Sequence, residues 1–112
     1  MKWYENLYVG ESIRHKADRI KWKIKHNAGQ IDIYVITIAS NPQNLLDIIP
    51  AQELMQKGYP KRELLVIGLA KGMKEAHEVV KQIIDEVYQN TGGFRIVPYL
   101  QTKKDSKNHS WN

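Results

Sequence analysis

The stretch VIGLAKGMKEAHE, residues 66–78, contains residues whose types and spacing suit the binding of an anion. An apolar segment runs through Gly68 into Lys71 and Gly72, and an amphipathic helical pattern begins directly afterwards. Loops of this kind bind phosphate in many proteins, because the free N–H groups and the dipole of the helix favour negative charge. The spacing is neither G-x-x-x-x-G-K-[ST] nor a dinucleotide-binding fingerprint. Two interpretations stay open: an anion site, or a plain strand-to-helix turn with solvated lysines.

Polar residues after an earlier apolar segment extend this hypothesis. In an open parallel sheet, ligands bind beyond the carboxyl ends of the strands. The loop SNPQN follows the first predicted strand, so the predicted anion site consists of Ser40, Asn41, Asn44, Lys71 and Gly72. The alternative is that Asn41 only caps a helix. The site would take a phosphorylated small molecule, and it indicates no particular reaction.

A second candidate surface lies in the basic segment ESIRHKADRIKWKIKHNA, residues 11–28. Residues 11–27 hold six Lys or Arg and two acidic residues, and so carry most of the net charge of +5. On a helical wheel, His15, Arg19, Trp22 and His26 form one stripe. An aromatic ring among cations can stack on a nucleobase while its neighbours bind phosphates, which makes this stripe a candidate nucleic-acid or partner surface. The alternative is that N-terminal aromatic residues or a second subunit cover Trp22.

Other kinds of chemistry have little support in the residues. The absence of cysteine excludes disulfides, cysteine zinc ligands and a cysteine nucleophile. The four histidines never stand three or four positions apart, and neither H-E-x-x-H nor G-x-S-x-G occurs. No catalytic residue, metal site or cofactor is predicted, and a binding protein is favoured over an enzyme.

Length and composition predict one α/β domain over residues 1–101, followed by a disordered basic tail over residues 102–112. The tail lacks apolar periodicity, and the preceding residues have the composition of a globular protein. The N-terminus does not resemble a signal peptide. The longest uncharged run, residues 33–46, is too short for a membrane span. We therefore expect a cytoplasmic protein without membrane contact.

Hydrophobic periodicity predicts the elements that position these residues. Helices are predicted over residues 11–28 with Gly29 as the stop, from Pro42 through Ile48, from Pro50 to near Gly58, and over residues 73–90. Strands are predicted over residues 31–39, 64–69 and 94–99. Within the first helix, Ile20, Trp22 and Ile24 alternate with lysines, so a strand and hairpin over residues 19–37 stay an alternative.

This order of elements predicts an α/β fold with a small, mainly parallel, three-stranded sheet and flanking helices, in the order helix-β-α-β-α-β. Helical crossovers favour parallel pairing, because parallel strands need a dozen or more residues to return. The third strand is expected at an edge, since Pro98 cannot donate to a ladder.

The segments NLYVGES, YVITIASNPQNLLDII and VIGLAKGMKEAHEVVKQIIDEVYQNTGGFRIVPYL resemble a family of small uncharacterised bacterial α/β proteins. The resemblance implies a compact cytosolic protein and brings no activity with it. Function is therefore expected to be that of a non-enzymatic interaction or regulatory protein. Three Trp and six Tyr residues in a small domain favour a homodimer or another protein partner. The alternatives are binding of an anionic small molecule, and nucleic-acid binding through the basic helix.

Overall fold

The structure is a computed structural model that describes residues 1–39, 43–61 and 63–109, with side chains described as far as Lys103. In these residues, four strands form one sheet: β1 (Lys2–Val9), β2 (Ile33–Ile38), β3 (Leu46–Pro50) and β4 (Leu65–Lys71). The α-helices are α1 (Ala17–Lys25), α2 (Met73–Thr91) and α3 (Ile96–His109), and two 3-10 helices span Glu11–Lys16 and Ala51–Met55.

The sheet is mixed, with the strand order β1-β4-β2-β3. β1 runs parallel to β4, whereas β2 runs antiparallel to both β3 and β4. The predicted α/β class is confirmed. The prediction of three mainly parallel strands is wrong. In the described residues the sheet contains two strands that were not predicted, β1 and β3, and residues 94–99 form no strand.

The segment predicted as a helix through Ile48 ends in a strand instead. β3 returns along β2, with Leu46 opposite Ile38 and Pro50 opposite Tyr34. This pairing satisfies the backbone of a segment rich in β-branched residues and buries Ile49. Tertiary contact therefore overrides the local helix-start pattern, whose Asn41 and Pro42 lie outside the described residues.

Residues 94–99 start a helix and not an edge strand. α3 begins at Ile96, so Pro98 lies in the first turn, where a missing N–H removes no helical hydrogen bond. The same proline is compatible with an edge strand or a helix start, and packing selects the helix because Ile96 and Leu100 are buried. α3 also continues through His109, across residues for which the sequence predicts a disordered tail.

The helical prediction for the basic segment is confirmed, and residues 19–25 form no hairpin with β2. The helix ends earlier than predicted. Asn27 adopts a left-handed conformation with φ of 53°, and the N–H of Ala28 donates to the carbonyl of Lys23 at 2.9 Å. This is a Schellman-type end in which Asn27, and not Gly29, takes the left-handed position.

The sheet separates two apolar layers. On one face, α1 and the first 3-10 helix pack through Ile13, Ile20 and Ile24. On the other face, α2 packs through Val79, Ile83 and Val87, and α3 covers the end of that layer. The prediction of a helix over residues 73–90 is confirmed, with Gly92 as its left-handed C-cap.

Candidate anion-binding site

The loop between β4 and α2 is the feature that the sequence singles out first. β4 ends at Lys71, Gly72 is the N-cap residue, and α2 begins at Met73. The backbone N–H of Lys71 donates to the Oε1 atom of Glu75 at 2.9 Å. The carboxylate of Glu75 therefore takes a hydrogen bond that an external anion would receive in a phosphate-binding loop.

Two further contacts clasp the same carboxylate. Ser12 donates from its Oγ to Oε1 at 2.9 Å and from its backbone N–H to Oε2 at 3.2 Å. Burial alone raises the pKa of Glu75, but the hydrogen bonds from Lys71 and Ser12, together with the charge of Lys71, outweigh it and lower that pKa below its ordinary value. Glu75 thus fastens the first 3-10 helix to the start of α2.

The predicted rim does not assemble as the sequence suggests. Ser40 and Asn41 lie outside the described residues. The antiparallel register sets Ile33 opposite Lys71 and Thr37 opposite Val66, so the loop after β2 lies at the other end of the sheet from Lys71. Asn44 lines a groove beside Phe94 and Val97 at that far end. The two loops would converge only if β2 and β4 were parallel. These strands are antiparallel, so Asn44 and Lys71 do not share a site.

Lys71 instead lines a different cavity, which we call the basic cleft. Its volume is about 450 Å³, and it lies between α1, the end of β4 and the segment that leads into β2. The residues that line it are Ile13, Lys16, Arg19, Ile20, Lys23, Gly29, Gln30, Ile31, Ile33 and Lys71. Four of these residues are cations, and none of the lining residues is acidic.

The cations of the basic cleft come from two parts of the chain. Arg19 and Lys23 stand four residues apart and therefore share one face of α1, and Lys16 is the last residue of the 3-10 helix that leads directly into α1. Lys71 arrives from the end of β4. Within the described part of the chain, none of these four side chains forms an ion pair or a side-chain hydrogen bond. Their positive charges therefore add to one another at the cleft.

The remaining wall of the cleft is the segment that leads into β2. The carbonyl of Asp32 accepts a hydrogen bond from the N–H of Gly72 at 2.7 Å, which holds this segment beside Lys71. Ile33 is buried in the floor, and Ile31 is 84% exposed at the surface. Asp32 follows Ile31 in the chain, and Glu75 interacts with Lys71, but neither residue lines the cleft.

The predicted stripe on the basic helix divides between two places. Trp22 and His26 stack, with ring centroids 4.1 Å apart, and Trp22 stays 57% exposed. Arg19 lines the basic cleft instead. His15 lies in the 3-10 helix, whose three residues per turn break the period on which the stripe was drawn. The alternative cover by Trp3, Tyr4, Leu7 and Tyr8 is not formed, because Trp22 stays exposed. Trp3 and Leu7 pack in the apolar layer on the α1 face of the sheet, and Tyr4 and Tyr8 pack in the layer on the opposite face.

A separate polar cluster, which the sequence analysis missed, joins three elements on the other face of the sheet. The Oε2 atom of Glu86 on α2 accepts from Tyr8 at 2.5 Å, from Tyr99 at 2.8 Å and from Lys103 at 3.0 Å. Burial and hydrogen bonding to Glu86 raise the pKa of Tyr8 well above its ordinary value and that of Tyr99 to about 12. Burial opposes, but the three donors outweigh it and lower the pKa of Glu86.

This cluster has the features of a structural latch. All three donors converge on one carboxylate oxygen and connect β1, α2 and α3. The hydroxyl of Tyr4, four residues before Tyr8 on β1, donates to the carbonyl of Leu100 in α3 at 3.2 Å. The members of this cluster come from distant parts of the sequence, so no local sequence pattern predicts it. They are Tyr8, Glu86, Tyr99 and Lys103.

Within the described residues, no three His, Asp or Glu side chains are grouped closely enough to hold a metal ion. None of the described helices combines the length and the apolar character that a bilayer crossing needs. Comparison of the chain with protein-family models, with curated proteins and with solved structures finds no match. The basic cleft is therefore the feature of the described structure that indicates a function.

Sequence reasoning identified two of its cations, Lys71 and Arg19, but assigned them to different surfaces. Lys16 and Lys23 were missed, although their spacing with Arg19 along one helical face is visible in the sequence. Their convergence with Lys71 was not visible, because it depends on where β4 lies in the sheet.

Proposed function

We propose that this protein binds a phosphorylated small molecule in the basic cleft. The observation that supports the proposal is the convergence of Lys16, Arg19 and Lys23 with Lys71 on one cavity whose lining contains no carboxylate. The carboxylate of Glu75 lies near Lys71 but does not line the cleft. An anion that binds among the four cations gains charge-assisted hydrogen bonds.

The cleft also has suitable dimensions and rigidity. A volume of about 450 Å³ lies within the usual range for small-molecule sites, roughly 300–1,000 Å³. Three of its apolar lining residues, Ile13, Ile20 and Ile33, are buried in the core, so the floor is part of the folded domain and needs no rearrangement. The proposal is one of binding and assigns no reaction.

Isothermal titration calorimetry with inorganic tripolyphosphate tests the proposal. We expect saturable binding with one site per chain, and a loss of about tenfold in affinity for Arg19→Ala and for Lys71→Ala, because each removes a charge-assisted contact. Lys25→Ala is the matched control: Lys25 is an exposed cation of α1 that does not line the cleft.

Two results would count against the proposal. Absence of binding at millimolar concentrations would remove it. An equal loss in Lys25→Ala and Arg19→Ala would indicate diffuse attraction of polyanions by the whole basic helix, which is the nucleic-acid alternative, and this attraction should disappear at high salt.

A second candidate function, interaction with a protein partner, is favoured by a different observation. Leu45, Phe94 and Val97 are exposed apolar residues that line one groove of about 280 Å³. Neighbouring exposed apolar side chains mark interaction surfaces in many soluble proteins. A homodimer through this groove predicts a concentration-dependent sedimentation coefficient that Phe94→Ser restores to the monomer value. A strict monomer at tens of micromolar would exclude it.

A further inference from the structure

The basic cleft also has a wall without charged side chains, formed by residues 29–31, and this wall restricts the class of ligand. Gly29, Gln30 and Ile31 line the cleft together with the two helices that supply Lys16, Arg19 and Lys23, and the Nε2 atom of Gln30 donates to the carbonyl of Ile20 on α1 at 3.2 Å. Within the described part of the chain, the backbone N–H groups of these three residues donate no hydrogen bond. Peptide groups without protein partners beside a cavity can bond to the polar edge of a ligand.

The apolar part of this wall is equally distinct. Ile31 is 84% exposed although it is a large aliphatic residue, and it adjoins Ile33 in the lining. A ligand that consisted only of phosphate would leave this surface in water. A flat ring packed on Ile31 would remove apolar area from water and gain binding free energy in proportion to that area.

The number of cations sets the charge of the ligand. A phosphate monoester carries about −1.5 to −2 charges at pH 7. Four cations are therefore matched by two or three phosphates and not by one. The cavity of about 450 Å³ also exceeds what a short phosphate chain alone would fill.

From these features we infer that the ligand of the basic cleft is a nucleoside di- or triphosphate: its phosphates pair with Lys16, Arg19, Lys23 and Lys71, and its base packs on Ile31 and bonds to the peptide groups of residues 29–31. This inference depends on the proposed function, since it names the ligand class of the same site.

The test compares ATP with tripolyphosphate by titration calorimetry in magnesium-free buffer. We expect ATP to bind about tenfold more tightly, because both probes carry three phosphates and only ATP has a base. Ile31→Ser should abolish this advantage, so that ATP and tripolyphosphate bind the variant with equal affinity. Met55→Ser is the control, since Met55 is an exposed apolar residue that does not line the cleft.

The outcomes distinguish a failure of the nucleotide inference from a failure of the proposed function. Equal affinity for ATP and tripolyphosphate, or an ATP affinity that Ile31→Ser does not change, would overturn the nucleotide inference and leave the anion site standing. Failure of both probes to bind would overturn the proposed function and the inference together. Because Ile31 is exposed, Ile31→Ser should keep the wild-type melting temperature within about 4 °C, since surface substitutions typically cost under about 0.5 kcal/mol.

Discussion

The carbonyl oxygen of Asp32 accepts a hydrogen bond of 2.7 Å from the backbone N–H of Gly72, and both residues have positive φ angles, 65° and 81°. This contact joins the segment before β2 to the turn after β4. It brings the wall that contains Ile31 beside Lys71. The geometry of the basic cleft therefore depends on two residues whose backbones turn in the left-handed half of conformational space.

Gly72→Ala should destabilise the protein by about 1–3 kcal/mol, because φ of 81° with ψ of 152° is a region that residues with a Cβ rarely adopt. A Cβ at Gly72 would meet no atom within 4 Å, so the cost is backbone strain and not a clash. Urea denaturation measures it. Gly93→Ala is the control, since Gly93 has equal space and no positive φ; equal losses in both variants would contradict the strain argument.

Gly10→Ala should break the clasp around Glu75. A Cβ at Gly10 would overlap the Glu75 carboxyl group and lie 2.7 Å from its Cγ. The carboxylate would have to leave its hydrogen bonds with Ser12 and Lys71, at an expected cost of about 1–3 kcal/mol. The double variant Gly10→Ala, Glu75→Ala should be no less stable than Glu75→Ala alone, since nothing is left to displace. Additive losses would show that Gly10 acts in another way.

Stability should fall in acid through Glu75 and Glu86. Both carboxyls have folded-state pKa values below their ordinary value of 4.5. Their contribution is complete above the unfolded pKa and is lost as pH falls through the folded pKa, because the unfolded chain then binds protons first. Chemical denaturation at several pH values below 5 measures this loss. The free energy of unfolding should decrease less steeply with falling pH in Glu86→Gln than in wild type. Glu78→Gln, on the exposed side of α2, should keep the wild-type slope.

Stability should also fall in alkali through the tyrosines of the latch. The pKa of Tyr99 is raised to about 12 in the folded state, against 10.0 ordinarily. Above pH 10 the folded chain then binds more protons than the unfolded chain. The contribution of Tyr99 to the free energy of unfolding is therefore fully present below pH 10 and is lost between about pH 10 and 12. Tyr99→Phe should make this decrease shallower. An unchanged slope in Tyr99→Phe would assign it to other groups.

Local patterns predicted the parts of the fold that local interactions determine. α2 was predicted within one residue because its apolar period and its glycine stop lie in one continuous segment. The direction of β2 relative to β4 could not be predicted in this way, since it depends on whether the segment between them returns as a strand. Ile48 and Ile49 are compatible with either outcome until β2 provides a partner.

The candidate site follows the same rule. Its helical cations could be recognised from spacing, and Lys71 could be recognised as the end of a strand before a helix. The proximity of Lys71 to the helical cations could be predicted only from the order of strands in the sheet. Gln30 and Ile31 were missed because the sequence assigns Ile31 to a strand, whereas the structure begins β2 at Ile33 and leaves Ile31 in the wall of the cleft.

The parallel pairing of β1 with β4 has a consequence for how the chain acquires its fold during synthesis. Lys2 pairs with Leu65, so β1 has no neighbour in the sheet until β4, more than sixty residues later in the sequence, has been made. At roughly 5–20 residues per second, that delay lasts on the order of several seconds. During it, Tyr4 and Tyr8 are unburied and both edges of β1 are unpaired, which exposes the nascent chain to aggregation. The β2–β3 pair can therefore form before β4 is made, whereas β1 can join the sheet only after β4.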